Sequence, residues 1–502
     1  MVRRLARALV LAPNSVRNPS HAAATLAALA ALAVAGVASA QSSVTLWGVV
    51  DVGVSNYSTK SDYFNAAPAF TIVNGQWVAN PAALGAYPGA AFGAKQRQTA
   101  MSTNGLSSSR LGFRGTEDLG GGLAASFWLE GALSPDTGSA GASGGGLDFK
   151  RRSTLSLSGP FGELRLGRDY TPTFWNDTNF DPFGTNGVGT NVISSVNGNL
   201  GNGNSTRASN SIGYFLPADL GGFYGQLQYA LDENISNSAG YTSGKTCLPA
   251  PVTGSPAYTQ CDKSSAGRYV GGRLGYASGA YDVALAYGQS TIADVNGQGA
   301  SAIGNIGVLS TSLSGQRKIN TLNLGGSYDF GVVKLFGELS QVRDKASAQA
   351  AATASALNSN FSVGQGVFAS GTDRYNGYLV GATVPVGAGL VRVAYSRVKY
   401  KDGGYSAGAY SYPPVTFATT SGMGDLNASV DKFAVGYVHN LSKRTALYAT
   451  AAYLKVKNGY NNPALGVTTG GSVGYLYPAN GAQAGFAPKS SVGYDFGIRH
   501  SF

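Results

Sequence analysis

From Ser491 to Phe502 the chain alternates strictly: Val492, Tyr494, Phe496, Ile498, His500 and Phe502 fall on one side, and Gly493, Asp495, Gly497, Arg499 and Ser501 on the other. Side chains of an extended strand point alternately to opposite faces, so this segment has one greasy face and one wet face. Near the other end, Val44, Leu46, Val50, Val52 and Val54 oppose Thr45, Trp47, Asp51 and Gly53 in the same way. The template selects sixteen segments, at 43–55, 107–117, 122–133, 148–158, 162–168, 207–216, 221–232, 266–277, 279–290, 318–330, 332–344, 373–385, 388–401, 428–441, 443–457 and 490–502.

The connections between them sort into two kinds that alternate. Tight ones carry turn chemistry, such as Asp118-Leu119-Gly120-Gly121, Gly159-Pro160-Phe161, Ser278-Gly279 and Asp329-Phe330-Gly331. Long ones, at 56–106, 134–147, 169–206, 233–265, 291–317, 345–372, 402–427 and 458–489, are rich in Gly, Ser, Asn and Ala. A soluble sandwich has no reason to keep that rhythm. A transmembrane antiparallel β-barrel of about 16 strands does, with short periplasmic turns and long extracellular loops. Lipid cannot hydrogen-bond a free sheet edge, so the sheet must close on itself. A solenoid adhesin is the competing all-β reading, but it requires a fixed short repeat, and the chain has none.

Composition agrees. There are 72 Gly and 28 Tyr with only 12% charged residues, and no stretch after residue 40 approaches the ~18 consecutive apolar residues of a membrane-spanning helix. Residues 1–40 read differently: Arg3, Arg4 and Arg7 precede an Ala-rich apolar run from Ala22 to Val37, ending Ala38-Ser39-Ala40. That is the order of a secretory signal peptide cleaved after Ala40, leaving 41–502 as the barrel domain. Its removal takes away four arginines and no acids, so the net charge falls from +11 to +7. In an exported protein Cys247 and Cys261, both in a polar Pro/Gly/Thr segment, suit a local disulfide. A metal pair is the weaker alternative, since no nearby His or third Cys completes a site.

Two motifs resemble catalytic ones and fail on context. Gly141-Ala142-Ser143-Gly144-Gly145 matches a nucleophile elbow but lies in a small-residue loop, and only His439 and His500 remain after residue 40 to serve as base. Gly240 to Thr246 reads like a phosphate loop with one residue too few between its glycines. No enzyme, cofactor or nucleic-acid partner is expected.

Several segments resemble the general diffusion porins of Gram-negative outer membranes. They are Ser43-Val-Thr-Leu-Trp-Gly-Val-Val-Asp51, Ser109-Arg-Leu-Gly-Phe-Arg-Gly-Thr-Glu-Asp-Leu-Gly-Gly-Gly-Leu123, Gly159-Pro-Phe-Gly-Glu-Leu-Arg-Leu-Gly-Arg168 and Tyr494-Asp-Phe-Gly-Ile-Arg-His-Ser-Phe502. The resemblance implies a homotrimer embedded in outer-membrane lipid and lipopolysaccharide. It also implies a third loop folded into the lumen, and a terminal Phe502 read by the barrel assembly machinery. Residues 169–206 fit that loop, and Phe180-Asp181-Pro182-Phe183-Gly184 resembles the Pro-Glu-Phe-Gly turn at its tip.

Selectivity in a water-filled barrel comes from charges lining a narrow place, and parity says which charges face water. Leu111 and Phe113 facing out put Arg110 and Arg114 inside; by the same rule Lys150, Arg152, Arg165 and Arg207 point in, with Glu130 among them. This basic wall is expected to face the acids Asp169, Asp177 and Asp181 of the third loop across the channel. Trp47 and Trp128 also fall on the inward face. Basic residues predominate, so passive diffusion of small hydrophilic solutes with a preference for anions is the expected function. A substrate-selective channel for sugars, phosphate or organic anions, and an adhesive or structural barrel, are the alternatives.

Overall fold

The computed structural model describes residues 43–65, 70–73, 76–79, 94–140, 146–233, 265–298, 312–350, 371–401, 428–458, 463–475 and 484–502. The expected signal peptide and both cysteines lie outside these residues.

Sixteen antiparallel strands close into one barrel. They are β1 (Ser43–Asn65), β2 in two segments (Ala94–Thr103 and Arg110–Gly120), β3 (Leu123–Ser134), β4 (Arg152–Gly159), β5 (Gly162–Tyr170), β6 (Arg207–Phe215), β7 (Phe223–Ala230) and β8 (Tyr269–Ser278). The second half comprises β9 (Tyr281–Gln298), β10 (Ser312–Asp329), β11 (Lys334–Ala350), β12 (Gly371–Val386), β13 (Gly389–Lys401), β14 (Ser429–Asn440), β15 (Thr445–Lys457) and β16 (Ala484–Ser501). Each pairs with its neighbour in sequence, and β1 closes the ring on β16 with Val52 opposite Ile498 and Asp51 opposite Arg499. A closed ring leaves no unpaired edge for lipid to meet.

Burial is inverted relative to a soluble protein. Leu46, Leu155 and Phe496 are 57%, 61% and 60% exposed on the outer face, whereas Asp51 and Asp495 are 0% and 2% exposed on the inner one. The short turns behave as their residues dictate: Gly279 adopts φ +56° between β8 and β9, a backbone region that two-residue hairpins need and that costs glycine nothing.

All sixteen expected segments are strands, with two differences in extent. First, β1, β9, β10, β11 and β16 run farther toward the long-loop side, and β2 has an upper segment, 94–103, read as loop from sequence. The apolar period of two stops in them: Asn56, Ser58 and Lys60 continue the outer face of β1, and Lys95, Arg97 and Thr99 stand opposite them in the upper segment of β2. Second, β4 starts at Arg152, four residues later than its alternation was extrapolated.

The buried apolar core lies inside the barrel, where the third loop, 171–206, folds inward. Helix α1 (Pro172–Asn179) packs on β7 to β10, the 3-10 turn Gly187–Gly189 on β14 to β16, and helix α2 (Val192–Asn199) on β12 to β14. Val192, Ile193, Val196 and Leu200 form one cluster with Ile319, Leu379, Val398, Val430 and Leu454, all projecting from the inner faces of β10 to β15. Leu465 and Val467, from the last long connection, cover the same cluster. Each such side chain contributes roughly 1.5–3 kcal/mol when fully buried, so the loop is fastened to one side of the lumen by apolar contact. The channel is left between its free face and the opposite wall.

Candidate functional site: the basic wall and the third loop

That opposite wall runs over β1 to β6 and holds the arginines that parity placed inside, whereas Arg273 of β8 and Arg392 of β13 lie under the loop, against the Phe180 and Phe183 rings. Arg110 lies 5.6 Å from the Trp47 ring centroid and 3.7 Å from Glu130 Oε1. Glu130 also accepts from Arg151 Nε at 2.6 Å and from Trp128 Nε1 at 3.1 Å. Arg151 and Arg207 both donate to the Tyr170 hydroxyl, at 2.9 and 2.7 Å, and Arg207 covers the Tyr170 ring. Tyr170 in turn stacks on Phe174 of α1, joining the wall to the root of the loop.

Toward the short-turn side a cavity of about 400 Å³ opens, lined by Arg114, Arg152, Arg165, Trp128, Glu163 and the hydroxyls of Thr45, Thr154 and Ser156. Arg165 is fully engaged: it pairs with Glu163 at 2.9 Å and with Asp169 at 2.5 Å and lies 3.9 Å from the Phe215 centroid. Arg152 reaches Asp169 at 3.7 Å and donates to Thr154 Oγ1 at 3.2 Å. Among the described residues, Arg114 and Arg207 have no carboxylate within ion-pair distance.

Three sequence expectations change. Lys150 precedes β4, so strand parity does not govern it: its side chain is 71% exposed and pairs with Asp148 at 2.8 Å. Arg151, assigned no role from sequence, takes the inward place beside Glu130. Asp169 belongs to the end of β5 rather than to the loop, and it pairs with the basic wall instead of facing it.

A fourth correction concerns the loop acids. Asp177 and Asp181 are the only ionisable side chains between Thr171 and Thr206, and both are turned away from the channel. Asp177, 2% exposed, accepts from Asn323 Nδ2 at 2.8 Å and is hydrogen-bonded to Glu338. Burial pushes its carboxyl up to about 6, and the nearby charge of Asp181 adds to the rise. Asp181 folds the loop tip on itself, accepting from the Phe183 and Thr185 amides at 2.9 and 3.3 Å and from Asn191 Nδ2 at 2.9 Å. Burial raises its carboxyl as well. What the loop shows to the channel is neutral: Thr178, Asn179, Thr185, Asn186, Ser194 and Ser195.

The seam between loop tip and barrel is polar. Asp495 of β16 accepts from the Val188 amide at 2.7 Å and from Ser55 Oγ at 2.6 Å, and Lys432 of β14 donates to the Thr190 carbonyl at 2.6 Å. Parity already places these residues inside, but nothing local says that a loop from elsewhere meets them. Phe502 remains at the barrel end, its backbone exchanging hydrogen bonds with Gly48 of β1 at 3.0 and 3.1 Å.

Comparison with known proteins gives the same picture over most of the chain. The family described as Gram-negative porin matches residues 24–459. Outer membrane porin protein 32 of Delftia acidovorans is 34% identical over 467 residues, 92% of this chain and 95% of the relative. An outer membrane porin protein of Bordetella pertussis is 29% identical over 83% of this chain and 90% of that protein. Among solved structures, the anion-selective porin from Comamonas acidovorans superposes with a TM-score of 0.57 at 31% identity, covering 92% of this chain and 100% of that one. The closed sixteen-stranded barrel, the inward third loop and these matches together establish that the chain belongs to the Gram-negative porin family of the outer membrane.

Proposed function

We propose that this porin, after loss of residues 1–40, is a homotrimeric general diffusion channel that prefers anions. The observation that carries the reading is an asymmetry of charge. One side of the lumen presents arginines, two of them without acid partners among the described residues, while the loop opposite presents hydroxyls and amides and hides both of its carboxylates. Every passing ion meets net positive potential, and in a narrow passage screening is weaker than in bulk. The name of the Comamonas relative, an anion-selective porin, points the same way.

The test is the reversal potential of single channels in planar bilayers under a salt gradient. A sign corresponding to anion flux is expected, with large conductance steps that do not saturate; a cation-selective sign overturns the proposal. Small, saturable steps favour a substrate-selective channel instead, and the absence of steps favours an adhesive barrel. In detergent a heat-modifiable trimer is expected, with lipopolysaccharide and lipid covering the exposed apolar band and Phe502 acting as the signal for the assembly machinery.

A further inference from the structure

Between its two segments, β2 leaves the barrel wall at residues 104–109 and turns inward. Asn104 takes φ +70° to begin the turn, and its side-chain oxygen accepts from the Ser109 amide at 2.6 Å. The turn is held by one residue of β1. Asp51 Oδ2 accepts from the amides of Leu106 and Ser107 at 2.8 and 2.6 Å, and its Oδ1 accepts from the Tyr448 hydroxyl at 2.6 Å. The Ser109 hydroxyl completes the grip, accepting from the Asp51 amide at 2.9 Å and donating to the Asp51 carbonyl at 3.0 Å.

What the turn touches gives it a role. On one side Ser108 Oγ donates to Asn186 Oδ1 of the loop tip at 3.2 Å. A methyl group on Gly187 would come within 2.4 Å of the Gly105 carbonyl, so the two backbones abut. On the other side the Ser108 carbonyl accepts from Arg110 Nη1 at 3.1 Å. The turn therefore bridges the loop to the first arginine of the basic wall.

We infer that Asp51 holds residues 104–109 in the seam between loop tip and β2, keeps that seam closed and through the turn sets the position of Arg110. The selectivity part rests on the anion-channel reading; the closure of the seam does not. Asp51 is a positioning residue, and its effect on selectivity has the opposite sign to its charge. Electrostatics alone says that removing an inward acid strengthens anion preference. Positioning says that losing Asp51 releases the turn, widens the passage and lets Arg110 swing away from it.

Two substitutions separate these accounts in single-channel recordings of the full-length porin. Asp51→Asn removes the charge but keeps an acceptor for the two amides and a polar group for Tyr448. Asp51→Ala removes both. Conductance and reversal potential close to wild type are expected for Asp51→Asn; larger conductance and a reversal potential shifted toward zero are expected for Asp51→Ala. An equal shift of both variants toward stronger anion preference at unchanged conductance overturns the inference, as does an Asp51→Ala channel identical to wild type. If Asp51→Ala does not assemble, the double variant Ser108→Ala, Asn186→Ala opens the same seam from its exposed side, and unchanged conductance there overturns closure. If the wild-type channel prefers cations, the anion reading falls and conductance alone decides the inference. In a background with both native cysteines replaced by Ser, an oxidised Ser108→Cys, Asn186→Cys pair should restore narrow conductance to Asp51→Ala.

Discussion

The guanidinium of Arg152 lies over the indole of Trp128, its central carbon 4.5 Å from the ring centroid, and Arg114 shares the same ring at 5.4 Å. One aromatic group thus supports two cations of like sign, each contact stabilising by about 0.5–2 kcal/mol depending on exposure. The partners differ in what balances them. Arg152 has Asp169 within 3.7 Å, whereas Arg114 has no carboxylate in reach among the described residues.

Selectivity should follow the unbalanced charges. Arg114→Glu combined with Arg207→Glu is expected to move the reversal potential toward cation preference with the barrel intact. Arg165→Glu instead sets a third carboxylate beside Glu163 and Asp169 and should lower the yield of folded protein. Leu155→Ser, on the outer face, should leave selectivity unchanged. If the Arg114/Arg207 variant assembles and keeps wild-type selectivity, the basic wall does not set ion preference.

Docking of α1 should depend on pH through Asp177. Its carboxyl, ordinarily 3.8, rises to about 6 where the helix is docked, so the docked state holds the proton more tightly. Docking is then strongest below pH 3.8 and weakens as pH rises toward about 6. Open-channel current noise should increase over that interval. Asp177→Asn, which keeps a hydrogen-bonding group without the titration, should flatten the profile; an unchanged profile would show that another group is responsible.

The apolar grip on α2 can be tested at Ile193, which is 2% exposed and packs so closely on Gly377 that a methyl group there would lie 2.8 Å from Ile193 Cγ1. Ile193→Ala should weaken loop docking by about 2–5 kcal/mol. Gly377→Val should push the helix away from the wall. Both changes are expected to alter conductance while heat-modifiability of the barrel persists, and loss of the barrel itself would mean that the loop is part of its folding core.

Deleting Phe502 should lower the amount of folded porin in the membrane and leave single-channel conductance unchanged. Its ring packs against Gly48 and is 44% exposed, whereas Asp51, on the same stretch of β1, is buried on the inner face. Normal assembly after the deletion would refute a signalling role.

The strands were legible because lipid outside and water inside impose a period of two on every segment that crosses the membrane, and that period survives without any knowledge of partners. Arg110, Arg114, Arg152 and Arg165 could be placed inside for the same reason. Lys150 could not, because alternation begins only where β4 begins, at Arg152, and the neighbouring Arg151 turns inward only through Glu130, twenty-one residues away in sequence. The upper segment of β2 was invisible because the apolar period of two stops before it.

What only the tertiary structure decided is the course of the third loop and the direction of its charges. Asp177 and Asp181 were expected to face the arginines, since an acid in a water-filled channel has no local reason to avoid them. They turn away because Val192, Ile193 and Val196 must bury themselves against Leu379, Val398 and Leu454, which lie far along the chain, and that docking carries the carboxylates to Asn323, Glu338 and the folded tip. Local period determines which side of a strand is wet; which distant surface a loop covers depends on contacts that no local pattern contains.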